Sequence, residues 1–131
     1  MDWPVAHSAW LLGSCVMGCD GLLSGAGSVI ADLQVALWEA VTSKDLGLAQ
    51  AVNDRIYHMV RAFYREPLLD MHNRMKEALV LLGRLSYAGV RPPLMKLSDS
   101  EIRFIAECLE KAGLTPETVY RGLELEYTAA V

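Results

Sequence analysis

The chain has 131 residues, of which 53% are hydrophobic and 21% charged, with a net charge of -4 at pH 7 and a mean hydropathy of +0.23. This length allows one domain with its own core but not two. The scattered lysines and arginines argue against nucleic-acid binding. Every long apolar stretch is interrupted before the ~20 residues that a membrane-spanning helix needs. We therefore expect neither nucleic acid nor a membrane as a partner.

The apolar excess indicates surface that partner subunits or further structure cover. No basic region precedes the first apolar run, so a signal peptide is not expected. The cysteines, Cys15, Cys19 and Cys108, are odd in number and lie in helical or turn contexts. This argues against a disulfide framework and favours a cytoplasmic protein.

Residues 18–29 predict a short strand followed by a glycine loop and a helix. Gly18 favours a helix stop, and Leu22-Leu23 is an apolar run too short for a helix. Gly25 and Gly27 are expected to adopt backbone geometry that side chains would forbid. A single strand cannot form a sheet, so either this strand pairs with another chain or the polypeptide is a piece of something larger.

The remaining residues predict an irregular lead-in and a series of helices. The N-terminal part is expected to contain an irregular stretch over 1–6, a helix from Ser8 to Gly18, a strand over Gly21–Ser24 and a helix over 26–42. The later part is expected to contain helices over 45–66, 68–82 and 98–113, an extended stretch over 89–94, and a last helix from Thr115-Pro116 toward Tyr127. Ser98-Asp99-Ser100-Glu101 has the capping-box pattern.

Three groups of motifs, in order, carry a resemblance to a known family. They are Gly18-x-Asp20-Gly21-Leu22-Leu23-Ser24-Gly25; Glu66-Pro67 with Lys76-x-x-Leu79; and Arg91-Pro92-Pro93-Leu94 with Ala112-Gly113-Leu114. Over roughly residues 7–114 the chain resembles the C-terminal part of the dihydrodipicolinate synthase / N-acetylneuraminate lyase family. The order and spacing of these motifs together are more specific for the family than any single motif.

The resemblance implies a mostly α chain that is the C-terminal fragment of a (β/α)8 TIM barrel. Residues 1–44 would contain the last strand and barrel helices seven and eight, and residues 45–131 a helical C-terminal extension of three to four helices. Family members commonly form tetramers, so a homo-oligomer or the missing barrel half is the implied protein partner. A complete barrel needs about 200 residues or more.

The implied chemistry is a class I aldolase or lyase reaction on pyruvate or another 2-oxo acid. The family's Schiff-base lysine lies on strand six and its proton-relay tyrosine on strand five, both before the matched segment. No lysine here falls on a strand pattern, and such a lysine must be desolvated. We expect no catalytic residue, no cofactor and no metal site in this chain, and no activity from it alone.

What remains of the active site would be a rim formed by Leu23, Ser24 and Gly25 at the end of strand eight. Gly25-Ala26-Gly27 departs from one large branch of the family, which has a small polar residue or valine followed by Thr. His7-Ser8 would follow strand seven, which we do not expect this chain to contain. The sequence around Ser24 is not a Gly-x-Ser-x-Gly elbow, which favours a structural serine over a nucleophile.

Other polar residues have structural explanations that we favour over functional ones. The glycine loop could hold a phosphate, but it lacks both the GxGxxG and the Walker patterns. His58 and His72 are expected to be solvated or to cap helices, and Cys15 and Cys19 lack further metal ligands nearby. Met71 and Met75 fit core or subunit contacts, while Asp70, Arg74 and Lys76 predict a solvated face.

The sequence leaves a second function open. The chain could be a non-catalytic helical module for interaction or oligomerisation that derives from the same family. A stable, discrete oligomer would favour this alternative, whereas exposure of barrel-facing apolar surface would favour the barrel fragment.

Overall fold

The computed structural model describes residues 4–5 and 8–116, which form two very short strands and five α-helices. The elements are β1 (Pro4–Val5), α1 (Leu11–Val16), β2 (Gly21–Leu22), α2 (Gly27–Thr42), α3 (Leu46–Phe63), α4 (Met71–Leu81) and α5 (Asp99–Lys111). Short 3-10 turns, Ser8–Trp10 and Leu68–Asp70, precede α1 and α4. The described part is mostly helical, as predicted. The last predicted helix lies outside the described residues.

The two strands form a parallel pair in which Pro4 lies opposite Gly21 and Val5 opposite Leu22. The prediction that residues 1–6 are irregular is therefore wrong for Pro4–Val5. So is the expectation that the chain holds no strand to pair with β2. Two residues are too few to show the alternation by which a strand is recognised. The crossover through α1 gives the β-α-β order that parallel strands require.

The end of α1 is a Schellman motif, as the glycine at position 18 predicts. Gly18 has a φ of +88°, and its N–H donates to the Cys15 carbonyl at 3.1 Å. The Cys19 N–H donates to the Ser14 carbonyl, also at 3.1 Å. These two bonds satisfy carbonyls that the ending helix leaves without partners, and a residue without a Cβ adopts this φ most readily.

Side-chain caps begin α3 and α5. The Asp45 carboxylate accepts from the Leu48 N–H at 2.9 Å, and the Ser98 hydroxyl accepts from the Glu101 N–H at 3.3 Å. Both caps agree with the sequence patterns. The stretch predicted to be extended over 89–94 instead contains a turn at Pro92–Pro93, which the Leu94 N–H closes by donating to the Arg91 carbonyl at 3.0 Å.

Asp45→Ala is expected to lower the free energy of unfolding by about 1 kcal/mol, because an N–H of the first turn of α3 loses its acceptor. Asp54→Ala is the matched control, since Asp54 is an exposed acidic residue within the same helix. Its change is expected to stay within about 0.5 kcal/mol. Urea titration followed by circular dichroism measures both, and equal losses would contradict the capping role.

One continuous apolar core joins all five helices. It includes Leu11 of α1, Leu37 of α2, Phe63 of α3, Ala78 of α4 and Ile105 of α5, each 1% exposed or less. The core therefore contains residues from both segments of the predicted division at residue 44. That division remains a prediction about how the chain corresponds to a barrel and its extension.

Arg74 is buried in this core, not on a solvated face as predicted. Its guanidinium Nη1 donates to the Arg65 carbonyl at 2.6 Å and lies 3.4 Å from the Phe63 carbonyl. Its Nη2 lies 3.5 Å from a carboxylate oxygen of Glu101, near the start of α5. The side chain thus links the end of α3 to α4 and α5. The position of Arg74 on a helix did not reveal these contacts.

Candidate functional site

The C-terminal ends of β1 and β2 meet at one edge of the small sheet because the strands are parallel. In barrel enzymes this edge carries the active site. The predicted rim follows β2 directly: Leu23 is 66% exposed, Ser24 is half-buried and Gly25 is exposed. The 3-10 turn that starts at Ser8 follows β1 at the same edge, whereas His7 lies outside the described residues.

The backbone of the glycine loop is already hydrogen-bonded within the loop itself. The Gly27 N–H donates to the Ser24 carbonyl at 3.0 Å, and the Ser28 N–H donates to the Gly25 carbonyl at 3.3 Å. The Ser28 hydroxyl donates to the same Gly25 carbonyl at 3.0 Å. Because these N–H groups have internal acceptors, the loop does not present them as an anion cradle, which agrees with the structural interpretation of the sequence.

The expectation that Gly25 and Gly27 adopt unusual backbone geometry is wrong. Among the glycines of the described residues, positive φ occurs at Gly18, Gly83 and Gly113. At position 27 the constraint is space, because an added Cβ would lie 3.1 Å from the Gln34 side-chain oxygen. This close approach follows from the fold and gives no signal in the sequence.

The rim lies close to α4, which the sequence did not indicate. A Cβ at Gly25 would lie 3.9 Å from the Met75 Cε and 4.0 Å from the His72 Nε2. His72 and Met75 are three residues apart on α4 and face the loop together. Helical spacing places His72 and Met75 on one face of α4. It does not tell which loop lies near that face.

A bend at the start of α2 lies beside a hydrogen bond from a residue that follows α4. Ile30 departs from helical geometry, with φ of -121° and ψ of 33°. The neighbouring Val29 carbonyl accepts from Arg84 Nη1 at 3.1 Å. Arg84 follows α4, so a residue distant in sequence binds the backbone beside this bend.

An open, mostly apolar pocket of about 890 Å³ lies beside the 3-10 turn that follows β1. Its lining includes Ala9 of that turn, Arg61 of α3, Arg65 just after α3, and Phe104 of α5. The Arg65 guanidinium lies 4.9 Å and that of Arg61 6.0 Å from the Phe104 ring centre. None of the three predicted rim residues lines this pocket, so the structure does not bring the two features together.

Every lysine of the chain has an exposed side chain. The lysines are Lys44, Lys76, Lys96 and Lys111, and none lies on β1 or β2. The Lys76 ammonium donates to the Gly89 carbonyl at 2.6 Å on the surface. A Schiff-base lysine needs a desolvated site, and none of these exposed side chains has one.

The described residues contain no group of histidine, cysteine and carboxylate side chains that could hold a metal ion. Burial raises the pKa of the Cys15 thiol to about 11, and contact with Cys19 adds to the rise. Burial likewise raises the pKa of the Cys108 thiol, and the charges of Arg61 and Lys111 oppose part of that rise. Both buried cysteines are therefore protonated at neutral pH and are poor metal ligands in this state.

Comparison with known proteins shows a partial match to one enzyme family. The chain is 33% identical over 99 residues to a 4-hydroxy-tetrahydrodipicolinate synthase of Kineococcus radiotolerans, covering 76% of this chain and 32% of the relative. No family model matches the chain.

Solved structures match the fold of this chain over a similar share of each chain's length. A dihydrodipicolinate synthase of Bacillus clausii has a TM-score of 0.75 and 21% identity, over 86% of this chain and 38% of that chain. One from Bacteroides thetaiotaomicron has a TM-score of 0.73 and 21% identity, over 83% and 37%. The chain thus spans about a third of the length of the relatives it matches.

The fold is that of part of a (β/α)8 barrel with its C-terminal helices. The chain is a relative of the dihydrodipicolinate synthases and corresponds to their C-terminal portion. This confirms the family resemblance seen in the sequence. Among the described residues, no helix has both the length and the apolar character to cross a bilayer.

Proposed function

We propose that this chain contributes strands seven and eight and the C-terminal helices to a (β/α)8 barrel of the aldolase/lyase type. It carries no Schiff-base chemistry of its own, because the reacting lysine belongs to a segment outside its 131 residues. The observation that supports this most strongly is the parallel β1–β2 pair with the rim loop at its C-terminal edge. Within the described residues this pair has no further strand on either side.

The surface around the strand pair favours a covering segment. Parallel strands occur almost only in sheets buried on both faces, and a two-stranded sheet is marginal in water. Exposed apolar side chains lie between and just after the two strands in sequence: Trp10 is 68%, Val16 55%, Met17 88% and Leu23 66% exposed. Neighbouring strands and helices of a barrel would bury such a surface and supply the missing hydrogen bonds.

The substrate class in this proposal is pyruvate or another 2-oxo acid, bound at the rim. The amine of a buried lysine in the complementing segment would add to the keto carbon. The adduct would then lose water and leave a protonated imine, which stabilises a carbanion. Leu23, Ser24 and Gly25 would form one wall of that pocket. Because Leu23 is the only large side chain of the three, it would provide apolar contact, while the loop backbone fixes the shape of the wall.

The proposal is tested by mixing this chain with a separate chain that carries the first six strands of the Kineococcus relative. With pyruvate and borohydride, the mixture should trap a covalent adduct on the complementing chain, at a yield at least tenfold above that chain alone. Gly21→Pro is the negative control, because proline removes a backbone donor from β2. Equal trapping with and without this chain, or with Gly21→Pro, would contradict the proposal.

The rest of the proposal concerns location and assembly. The thiols of the cysteines are free, which suits a reducing cytoplasm. A homo-oligomer of the completed barrel is the expected assembly, with no nucleic acid and no membrane as partner. These features rest on the family relationship and on composition.

One observation favours the alternative of a non-catalytic helical module. The continuous core through α1 to α5 gives the chain an interior that does not depend on further strands. A discrete dimer with one sharp thermal transition, which does not bind the complementing chain, would favour the module. A heterogeneous species that binds a hydrophobic dye would favour the barrel segment.

A further inference from the structure

The pocket beside the turn that follows β1 has the size and the lining of a small-molecule site. Its volume is about 890 Å³, and binding clefts for small ligands measure about 300–1,000 Å³. Arg61, Arg65 and Glu66 contribute its charged side chains. The rest of the lining is apolar or aromatic and includes Val60, Tyr64, Leu68 and Met71. Such a surface suits a ligand with an apolar body and one charged end.

The two arginines are held over the same aromatic ring. The guanidinium carbon of Arg61 lies 6.0 Å and that of Arg65 4.9 Å from the centre of the Phe104 ring, which is the range of cation–π attraction. The main chain of Arg65 is also fixed, because its carbonyl accepts a hydrogen bond of 2.6 Å from the buried Arg74. Side chains that are ordered beforehand lose less entropy when a ligand binds.

The charges of these arginines are not neutralised by nearby carboxylates. Within the part of the chain that the structure describes, neither Arg61 nor Arg65 forms an ion pair with a carboxylate. Glu66 also lines the pocket, and its Oε2 already accepts from the Leu68 N–H at 3.1 Å. Two guanidinium groups and one carboxylate leave the lining with a single excess positive charge. The lining therefore matches an anion of charge -1.

We propose that this pocket binds a small monocarboxylic acid with an apolar body, at a site separate from the rim. The guanidinium groups of Arg61 and Arg65 would bind the carboxylate, since their planar donor sets match its two oxygens. The apolar body would pack against Phe104 and the apolar walls. A phosphate monoester fits less well, because its charge of about -1.5 to -2 exceeds that of the lining and would face Glu66. All of these residues belong to this chain, so the site needs no complementing segment.

The test is isothermal titration calorimetry of the 131-residue chain with octanoate as the probe. Octanoate should bind at one site, at least about tenfold more tightly than acetate, which lacks the apolar body, and 1-octanol, which lacks the charge. Octyl phosphate should bind no more tightly than octanoate. Absence of saturable octanoate binding, equal binding of 1-octanol, or tighter binding of octyl phosphate would overturn the proposal. So would an affinity that falls as the chain concentration rises, because a second copy of the chain would then fill the pocket.

Three variants locate the binding site. Arg61→Gln and Arg65→Gln should each weaken octanoate binding about tenfold, the loss expected for one charge-assisted hydrogen bond. Both side chains are exposed, so the variants should keep the fold, which circular dichroism checks. Arg103→Gln is the matched control, because Arg103 is an exposed arginine next to Phe104 in sequence but does not line the pocket. Unchanged affinity in Arg61→Gln and Arg65→Gln, or an equal loss in Arg103→Gln, would show that the proposed site is wrong.

Discussion

Arg74→Ala is expected to lower the free energy of unfolding by about 3–5 kcal/mol, as estimated from lost hydrogen bonds and lost packing. Arg74 is 1% exposed, and Nη1 binds the Arg65 and Phe63 carbonyls at 2.6 and 3.4 Å. Those carbonyls lie at the end of α3, where helical hydrogen bonds run out. Removing the guanidinium leaves them without that donor and leaves a cavity between α3, α4 and α5. Urea titration measures the loss.

Two further variants show which part of the side chain matters. Arg74→Met keeps most of the buried stem, so it should lose less than the alanine variant. Arg103→Ala removes an exposed arginine of α5 and should change stability by no more than about 0.5 kcal/mol. A loss below about 1 kcal/mol for Arg74→Ala, or equal losses for Arg74→Ala and Arg103→Ala, would contradict the structural role of Arg74.

Leu37→Ala is expected to lower the free energy of unfolding by about 3–5 kcal/mol. Leu37 is completely buried on α2, and α2 packs chiefly against α3. Leu37 therefore lies before residue 44 in sequence but belongs to the core shared with the later helices. Its truncation leaves a cavity in that core, so the whole described fold should be destabilised.

The matched control is Val35→Ala on the same helix, where the side chain is 49% exposed. Its loss should be below about 1 kcal/mol. In the Leu37→Ala variant, circular dichroism and the near-ultraviolet signal should report one transition shifted to lower urea. Two separate transitions, with only the earlier one shifted, would show that residues before and after 44 do not share a core.

The helices were predictable because their signals are local. Apolar spacing, the Asp45 and Ser98 caps and the glycine at position 18 each act within a few residues of the element that they define. β1 was missed since Pro4–Val5 carries no alternating pattern and is a strand only through its pairing with β2. Arg74 was misplaced since its burial depends on α3 and α5, which lie far from it in sequence.

The candidate site also combines features that follow from local sequence with features that depend on distant residues. A short strand beginning at Gly21 could be predicted from the sequence, because an apolar pair lies between turn-forming glycines. Its predicted end at Ser24 was two residues too late, since β2 ends at Leu22. The closeness of Gly25 to His72 and Met75 could not be predicted, because it brings a loop near a helix about 50 residues later. The 890 Å³ pocket beside Phe104 likewise forms from elements that are distant in sequence.

The central claim is that this chain belongs to a barrel but holds no lysine that can react with a 2-oxo acid. The most direct measurement is the mass of the purified 131-residue chain after incubation with pyruvate and borohydride at neutral pH. The account predicts an unchanged mass, because all four lysines are exposed, whereas a Schiff-base lysine must be desolvated. A stoichiometric adduct on Lys44, Lys76, Lys96 or Lys111 would contradict it.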